Sequence, residues 1–155
     1  MAGIVAGRVS ARIEGDFVVF LIGLRINRPL RVDRWLPAVL AMPRMIRELE
    51  SSGPQCGFLG RAGLRMHLMA RYWRSFEHLE RYARDPSRAH RPAWAAFNRR
   101  MRGAGGDVGI WHETYLVRAG ACESVYSDMP PFGLARASAH LPEPEGSAAR
   151  ARLGL

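Results

Sequence analysis

Apolar positions along this chain recur in two ways, as unbroken or alternating runs and as stripes with the helical period. Phe17–Ile26 (FVVFLIGLRI) carries no charge before Arg25, which predicts a central strand buried on both faces. From Val32 the apolar residues fall at 32, 35, 36, 39, 40, 45, 46 and 49, a helical stripe with Arg31, Arg34, Arg44, Arg47 and Glu48 largely off it. Pro37 and Pro43 predict a kink or a split in that helix, and Ser51-Ser52-Gly53-Pro54 ends it. Residues 57–61 and 64–73 read as two strands turning at Ala62-Gly63. In the second, Met66, Leu68, Ala70 and Tyr72 alternate with Arg65, His67, Met69, Arg71 and Trp73. Ser75 opens a helix with Phe76, Leu79, Tyr82 and Ala83 on one side. Asp85-Pro86 stops it and starts another, with Asp85 as N-cap, running to Met101 and a glycine turn at 103–106. Residues 107–117 form the last long strand, and 122–127 add a short edge strand.

The order strand, helix, strand, strand, helix, strand is the split βαβ pattern of ferredoxin-like α+β domains. It predicts an antiparallel sheet with its helices on one face. A strand as apolar as Phe17–Ile26 needs both faces covered, so a second copy is expected on the open face, giving a homodimer. The folded domain is expected over 8–134, with a flexible N-terminus at 1–7 and a flexible tail at 135–155 that is rich in Ala, Pro, Glu and Arg.

Composition narrows the function. The chain has 155 residues and a formal charge of +9, and all 23 of its basic residues are arginine. The tail holds three Arg and two Glu, so nearly all the excess lies in the body, without a block resembling a nucleic-acid arm. A dispersed, solvated surface charge is the preferred reading, and no nucleic-acid partner is expected. Two cysteines, Cys56 and Cys122, are too few for a disulfide scaffold or a four-cysteine zinc site. The opening MAGIVAGRVSARIEGD carries charges where a signal peptide has an apolar stretch, so a cytoplasmic protein is expected. Trp35 among arginines would suit a membrane surface, but packing of that helix on the sheet is preferred. No glycine-rich phosphate loop follows a strand, so no flavin or nicotinamide module is expected.

Three constellations could carry chemistry. His90, Trp94, Phe97 and Met101 share one helical face. His90 there is either a core or rim histidine bonded to backbone, a ligand to a metal centre such as haem iron, or a general base in a pocket. Trp111, Glu113 and Tyr115 alternate on the last strand with Ile110, His112, Thr114 and Leu116. Glu113 between two aromatics would be desolvated, unless Arg65 or Arg71 of the neighbouring strand pairs with it. His67 shares a strand face with Arg71 and is either solvated or at an interface. The histidine spacings fit no zinc pattern.

RIEGDFVVFLIGLRIN, WLPAVLAMPRMIREL, YWRSFEHLERYARD, HRPAWAAFNRR, GDVGIWHETYLV and MPPFGL, in that order over roughly residues 8–135, resemble a monooxygenase-like family of unknown-function domains. That family is named after a polyketide monooxygenase of the fumagillin pathway. It is similar in turn to the antibiotic-biosynthesis monooxygenases and other dimeric α/β-barrel proteins, whose open sheet faces pack together. The resemblance implies a small-molecule monooxygenase acting on a hydrophobic or phenolic substrate between helices and sheet. His90 and Glu113 are then the candidate catalytic residues, and Trp94, Phe97, Trp111, Tyr115, Arg71 and His67 the candidate substrate contacts. Haem-degrading enzymes and aldoxime dehydratases belong to the same circle, and in its haem-binding branches a histidine before the last strand ligates iron. The alternative it implies is therefore a haem enzyme with His90 as iron ligand. Stress-response members imply a third, a non-catalytic small-molecule-binding protein. The cofactor is thus none or haem.

Overall fold

A computed structural model describes residues 3–65, 67–142 and 148–155, with Leu64, Arg65 and Leu141 described by their backbone alone. Among the described residues seven strands and four helices follow the order β1 (Val5–Arg12), β2 (Phe17–Ile26), α1 (Val32–Ser51), β3 (Phe58–Arg65), β4 (Leu68–Trp73), α2 (Phe76–Arg84), α3 (His90–Met101), β5 (Val108–Val117), β6 (Tyr126–Met129), β7 (Ala139–Pro142) and α4 (Ala149–Leu153). The main sheet has the order β3-β4-β2-β5, antiparallel throughout. With α1 between β2 and β3 and the α2–α3 pair between β4 and β5, this is the ferredoxin-like split βαβ fold that the hydrophobic pattern predicts.

The β-branched and aromatic β2 lies at the centre. It pairs with β5 over ten residues, from Phe17 opposite Val117 to Ile26 opposite Val108, and with β4 from Val18 opposite Trp73 to Ile22 opposite Met69. Period two sends Val18, Phe20, Ile22 and Leu24 towards the helices and Val19 and Leu21 away. Trp73, fully enclosed, packs with Val18, Leu49, Leu79 and Tyr82, its ring centroid 5.3 Å from Phe58 and 5.6 Å from Tyr82. A second cluster joins Leu24, Phe97 and Val108, with Trp35 and Met101 against it. Trp35 thus faces the sheet, as the preferred reading of that helix has it.

Several boundaries differ from the sequence reading. The helix α1 is continuous through Pro37 and Pro43. Its packing on the sheet through Met45 and Leu49 outweighs the backbone bonds that the prolines remove. The β3–β4 turn falls after Arg65, and Gly63, at φ +90, sits in a break of the ladder between Ala62 and Arg65. Asp85 does not cap a helix at Pro86. Its carboxylate accepts from the Ser87 N–H (2.9 Å) and Oγ (2.6 Å), closing a turn, and α3 starts only at His90.

The flexible ends expected at 1–7 and 135–155 are instead partly structured. Val5–Arg12 and Ala139–Pro142 pair in a second sheet of order β6-β1-β7; of the edge strand expected at 122–127 only Tyr126 and Ser127 fall in β6, which runs on to Met129. Residues 143–147 of the expected tail lie outside the described residues. A short 3-10 turn, Gly133–Arg136, packs Leu134 and Ala135 out of solvent. Its end leans on β3, where a Cβ added to Gly60 would stand 3.0 Å from the Ala137 Cβ. Part of the sheet face away from the helices is therefore covered by the chain itself. Among the described residues no helix is long and apolar enough to cross a membrane.

Candidate active site

The three long helices do not close completely on the sheet. Between them lies a cleft of about 430 Å³, bordered by both apolar clusters through Leu79, Leu24 and Phe97. The helix α1 contributes Pro37, Ala38, Ala41, Met42 and Met45; α2 contributes Phe76, Leu79, Glu80 and Ala83; α3 contributes His90, Ala93, Trp94, Phe97 and Arg100. The sheet forms the floor with Phe20, Ile22, Leu24, Arg71, Ile110, His112 and Thr114. The lining is mainly apolar, the usual character of a small-molecule site.

His90 stands at the first position of α3. The Glu48 carboxylate of α1 accepts from the Ala89 N–H at 3.0 and 3.2 Å, placing a negative charge at the start of that helix. The same carboxylate accepts from Tyr82 Oη at 3.4 Å. The His90 ring lies 5.8 Å from the Tyr82 ring, and its Nδ1 is 3.3 Å from the Ala83 carbonyl. Nδ1–H donating there leaves the lone pair on Nε2. Burial lowers the His90 pKa from its ordinary value; the Ala83 carbonyl and Glu48 oppose that shift, and Arg71 adds to it. The imidazole is thereby held neutral. Trp94 and Phe97, one turn on, stack at 5.6 Å with their planes 16° apart, Phe97 buried and Trp94 partly exposed at the mouth.

Arg71 projects from β4 beside Phe20, its neighbour across the ladder, and is only 3% exposed. Its Nη2 is 3.2 Å from Met42 Sδ, and its Nε has no hydrogen-bond partner among the described residues. Burial pushes its pKa down, although a guanidinium keeps its proton at any physiological pH.

The structure divides the candidates expected from sequence. His90, Trp94, Phe97 and Arg71 share the cleft. Trp111, Glu113 and Tyr115 lie opposite Gly23, Leu21 and Val19, on the other face of the sheet. All three are exposed in the single chain, which by itself therefore does not desolvate Glu113. The Tyr115 hydroxyl donates to Glu113 Oε2, which raises the tyrosine pKa. Arg71 points to the helix side and cannot pair with Glu113, and the Arg65 side chain lies outside the described residues. His67 sits exposed in the β3–β4 turn, away from the cleft. His112 and Thr114, which were not among the candidate contacts, line the floor with Phe20; the His112 and Phe20 ring centroids are 5.5 Å apart. Their signal was the alternation itself, once the helix-facing set of β5 is known. Among the described residues no group of three or more His, Cys, Asp or Glu could hold a metal ion.

Comparison with known proteins agrees with this fold. The family described as Monooxygenase af470-like matches residues 17–134. Monooxygenase af470 of Aspergillus fumigatus is 28% identical over 159 aligned residues, which cover 88% of this chain and 56% of that protein. The fold is similar to that of an aldoxime dehydratase crystallised with butyraldoxime, at TM-score 0.67 and 18% identity over 89% of this chain and 44% of that one. A second aldoxime dehydratase gives TM-score 0.60 and 17% identity over 92% and 45%. The chain therefore spans about half the length of each of these proteins.

Proposed function

The chain belongs to the monooxygenase af470-like family, and on that premise we propose that it is a cytoplasmic small-molecule monooxygenase whose hydrophobic or phenolic substrate lies in the cleft between helices and sheet. The cleft itself carries this reading: a mainly apolar chamber with the neutral His90 imidazole on its wall. In this reading Trp94 and Phe97 flank an aromatic substrate, and His90 Nε2 takes the proton whose removal makes it electron-rich. With dioxygen as oxidant, a methylene flanked by such rings becomes a ketone. Both of its C–H bonds break, one oxygen atom forms the new carbonyl, and the other leaves with the two hydrogens as water. Carbon supplies all four electrons, so no separate reductant is needed. Glu113, across the sheet, has no part in this chemistry.

A second reading, haem-dependent chemistry, is favoured by one observation. Nδ1 of His90 faces a backbone carbonyl while Nε2 has no partner among the described residues, the orientation of an imidazole ligand with its second nitrogen anchored. The residues present fit the group: His90 would hold iron, and Trp94 and Phe97 would border the ring. Bound haem would supply redox or Lewis-acid chemistry there.

One preparation tests both readings. Oxygen uptake with an anthrone, without added cofactor, is expected from the purified chain, and His90→Ala is expected to slow it by about 10²- to 10⁴-fold. Absence of uptake in the unmodified chain sinks the first reading. A Soret band on adding haem, lost in His90→Ala, supports the second, and an unchanged spectrum sinks it. On either reading a second copy is proposed to cover the remaining open sheet face.

A further inference from the structure

Among the described residues, Arg71 is the one polar group of the cleft whose burial the chain does not compensate. It makes no ion pair there; the acidic groups that do are occupied elsewhere, as in Arg28–Asp107, Arg61–Glu50 and Arg88–Asp85. Glu48 of the neighbouring helix α1 is committed to the Ala89 N–H and Tyr82. A thioether sulfur is a weak acceptor, and it is all that Nη2 meets. A guanidinium cannot shed its charge to escape such a site, so an unpaired one costs free energy for as long as the cleft holds no anion. The cost falls when something negative arrives. The surroundings define what else that ligand must be: Phe20, Ile22, Met42 and Phe97 offer apolar surface, and the carboxylate that lines the cleft, Glu80, is held by Arg84 at 2.8 Å.

We infer that the cleft binds an apolar molecule bearing one carboxylate, which Arg71 pairs at the floor while the aromatic and aliphatic walls enclose the body. A carboxylate suits the planar fork of a guanidinium better than a neutral oxygen does, because both of its oxygens accept charge-assisted bonds. This rests on the cleft being the substrate site, and it adds the charge class of the ligand. His90 contributes no competing positive charge at neutral pH, and of the two arginines that line the cleft Arg71 is the buried one, so the selectivity is assigned to it rather than to Arg100 at the α3 side.

Two probes of equal size separate the charge from the shape. Calorimetric titration of the full chain with 2-naphthoate and with 2-naphthamide is expected to show the carboxylate binding about tenfold tighter or more, the usual worth of a charged hydrogen bond. Arg71→Met, similar in length and uncharged, is expected to bind both probes alike, with the amide affinity close to that of the unmodified chain. Arg118→Met removes the same unit of charge from exposed surface and is expected to keep the preference, which excludes general attraction by a basic protein. Equal binding of the two probes by the unmodified chain overturns the inference without any variant having to fold, and leaves the cleft standing as a ligand site. A preference that survives in Arg71→Met also overturns it. Failure of both probes to bind removes the cleft as a ligand site, and the inference with it. Oxygen uptake plays no part in these readouts, so an inactive chain that still prefers naphthoate separates this inference from the oxygenase reading.

Discussion

Burial acts on His90 and Arg71 in the same sense, against their charged forms, but with different results. The imidazole yields and stays neutral, whereas the guanidinium keeps its charge and waits for a partner. For His90 the sign has a consequence for stability. Its folded pKa lies below the ordinary 6.5, so between those values the unfolded chain binds more protons than the folded one. The stability this group supports is complete above about pH 6.5 and is lost as the pH falls through that window. Denaturant unfolding at pH 7.5 and at pH 5 is expected to give a smaller difference for His90→Gln than for the unmodified chain. An identical difference in both would mean that the ring is solvated.

Strand β2 places the cleft by keeping its register with both neighbours at once, and Gly23 is where that register is tightest. A Cβ there would stand 2.0 Å from the His67 carbonyl oxygen and 2.4 Å from Trp111 Nε1. The β3–β4 turn therefore folds over β2 against the bare glycine backbone, and His67 contributes its carbonyl where sequence reasoning looked to its imidazole. Gly23→Ala is expected to destabilise the fold by about 3 kcal/mol, at the upper end of overpacking costs because the nearer obstacle is backbone. A chemical-denaturation midpoint unchanged from the parent would refute that packing. Helix α1 meets a similar constraint from outside itself. Its prolines argue for a break, yet the sheet beneath holds it in one piece, and through Glu48 it sets where α3 begins.

As a whole, the molecule leaves one side of its sheet half finished. The 3-10 turn and β6 cover the β3 side, where the Tyr72 and Tyr126 hydroxyls both approach Gly133. On the β5 side Trp111 and Tyr115 stay exposed, with Val19 and Leu21 half-buried behind them. A second copy seated there would complete the covering that an apolar central strand calls for. The chain is expected to sediment at twice 17.3 kDa at micromolar concentration, and Tyr115→Arg to shift it to the single-chain mass. A single-chain species in the unmodified protein ends the dimer proposal.

The alternation and helical stripes were enough to specify the split βαβ order, because each element's buried face must repeat with that element's own period. They also put His90, Trp94 and Phe97 on one helical face, since spacings of four and three leave no other choice. What the periodicity left open was which face of β5 meets the helices, as Trp111-Glu113-Tyr115 and Ile110-His112-Thr114 alternate equally well. Only the pairing of β5 with β2 decided it, by setting His112 opposite Ile22 on the helix side and Glu113 opposite Leu21 on the other. The second sheet was equally out of reach, because β1 finds β6 and β7 more than a hundred residues away. Arg71 joins the two kinds of knowledge. Its strand face was legible from alternation, but its lack of an acidic partner belongs to the packed molecule, where every neighbouring carboxylate has already been taken.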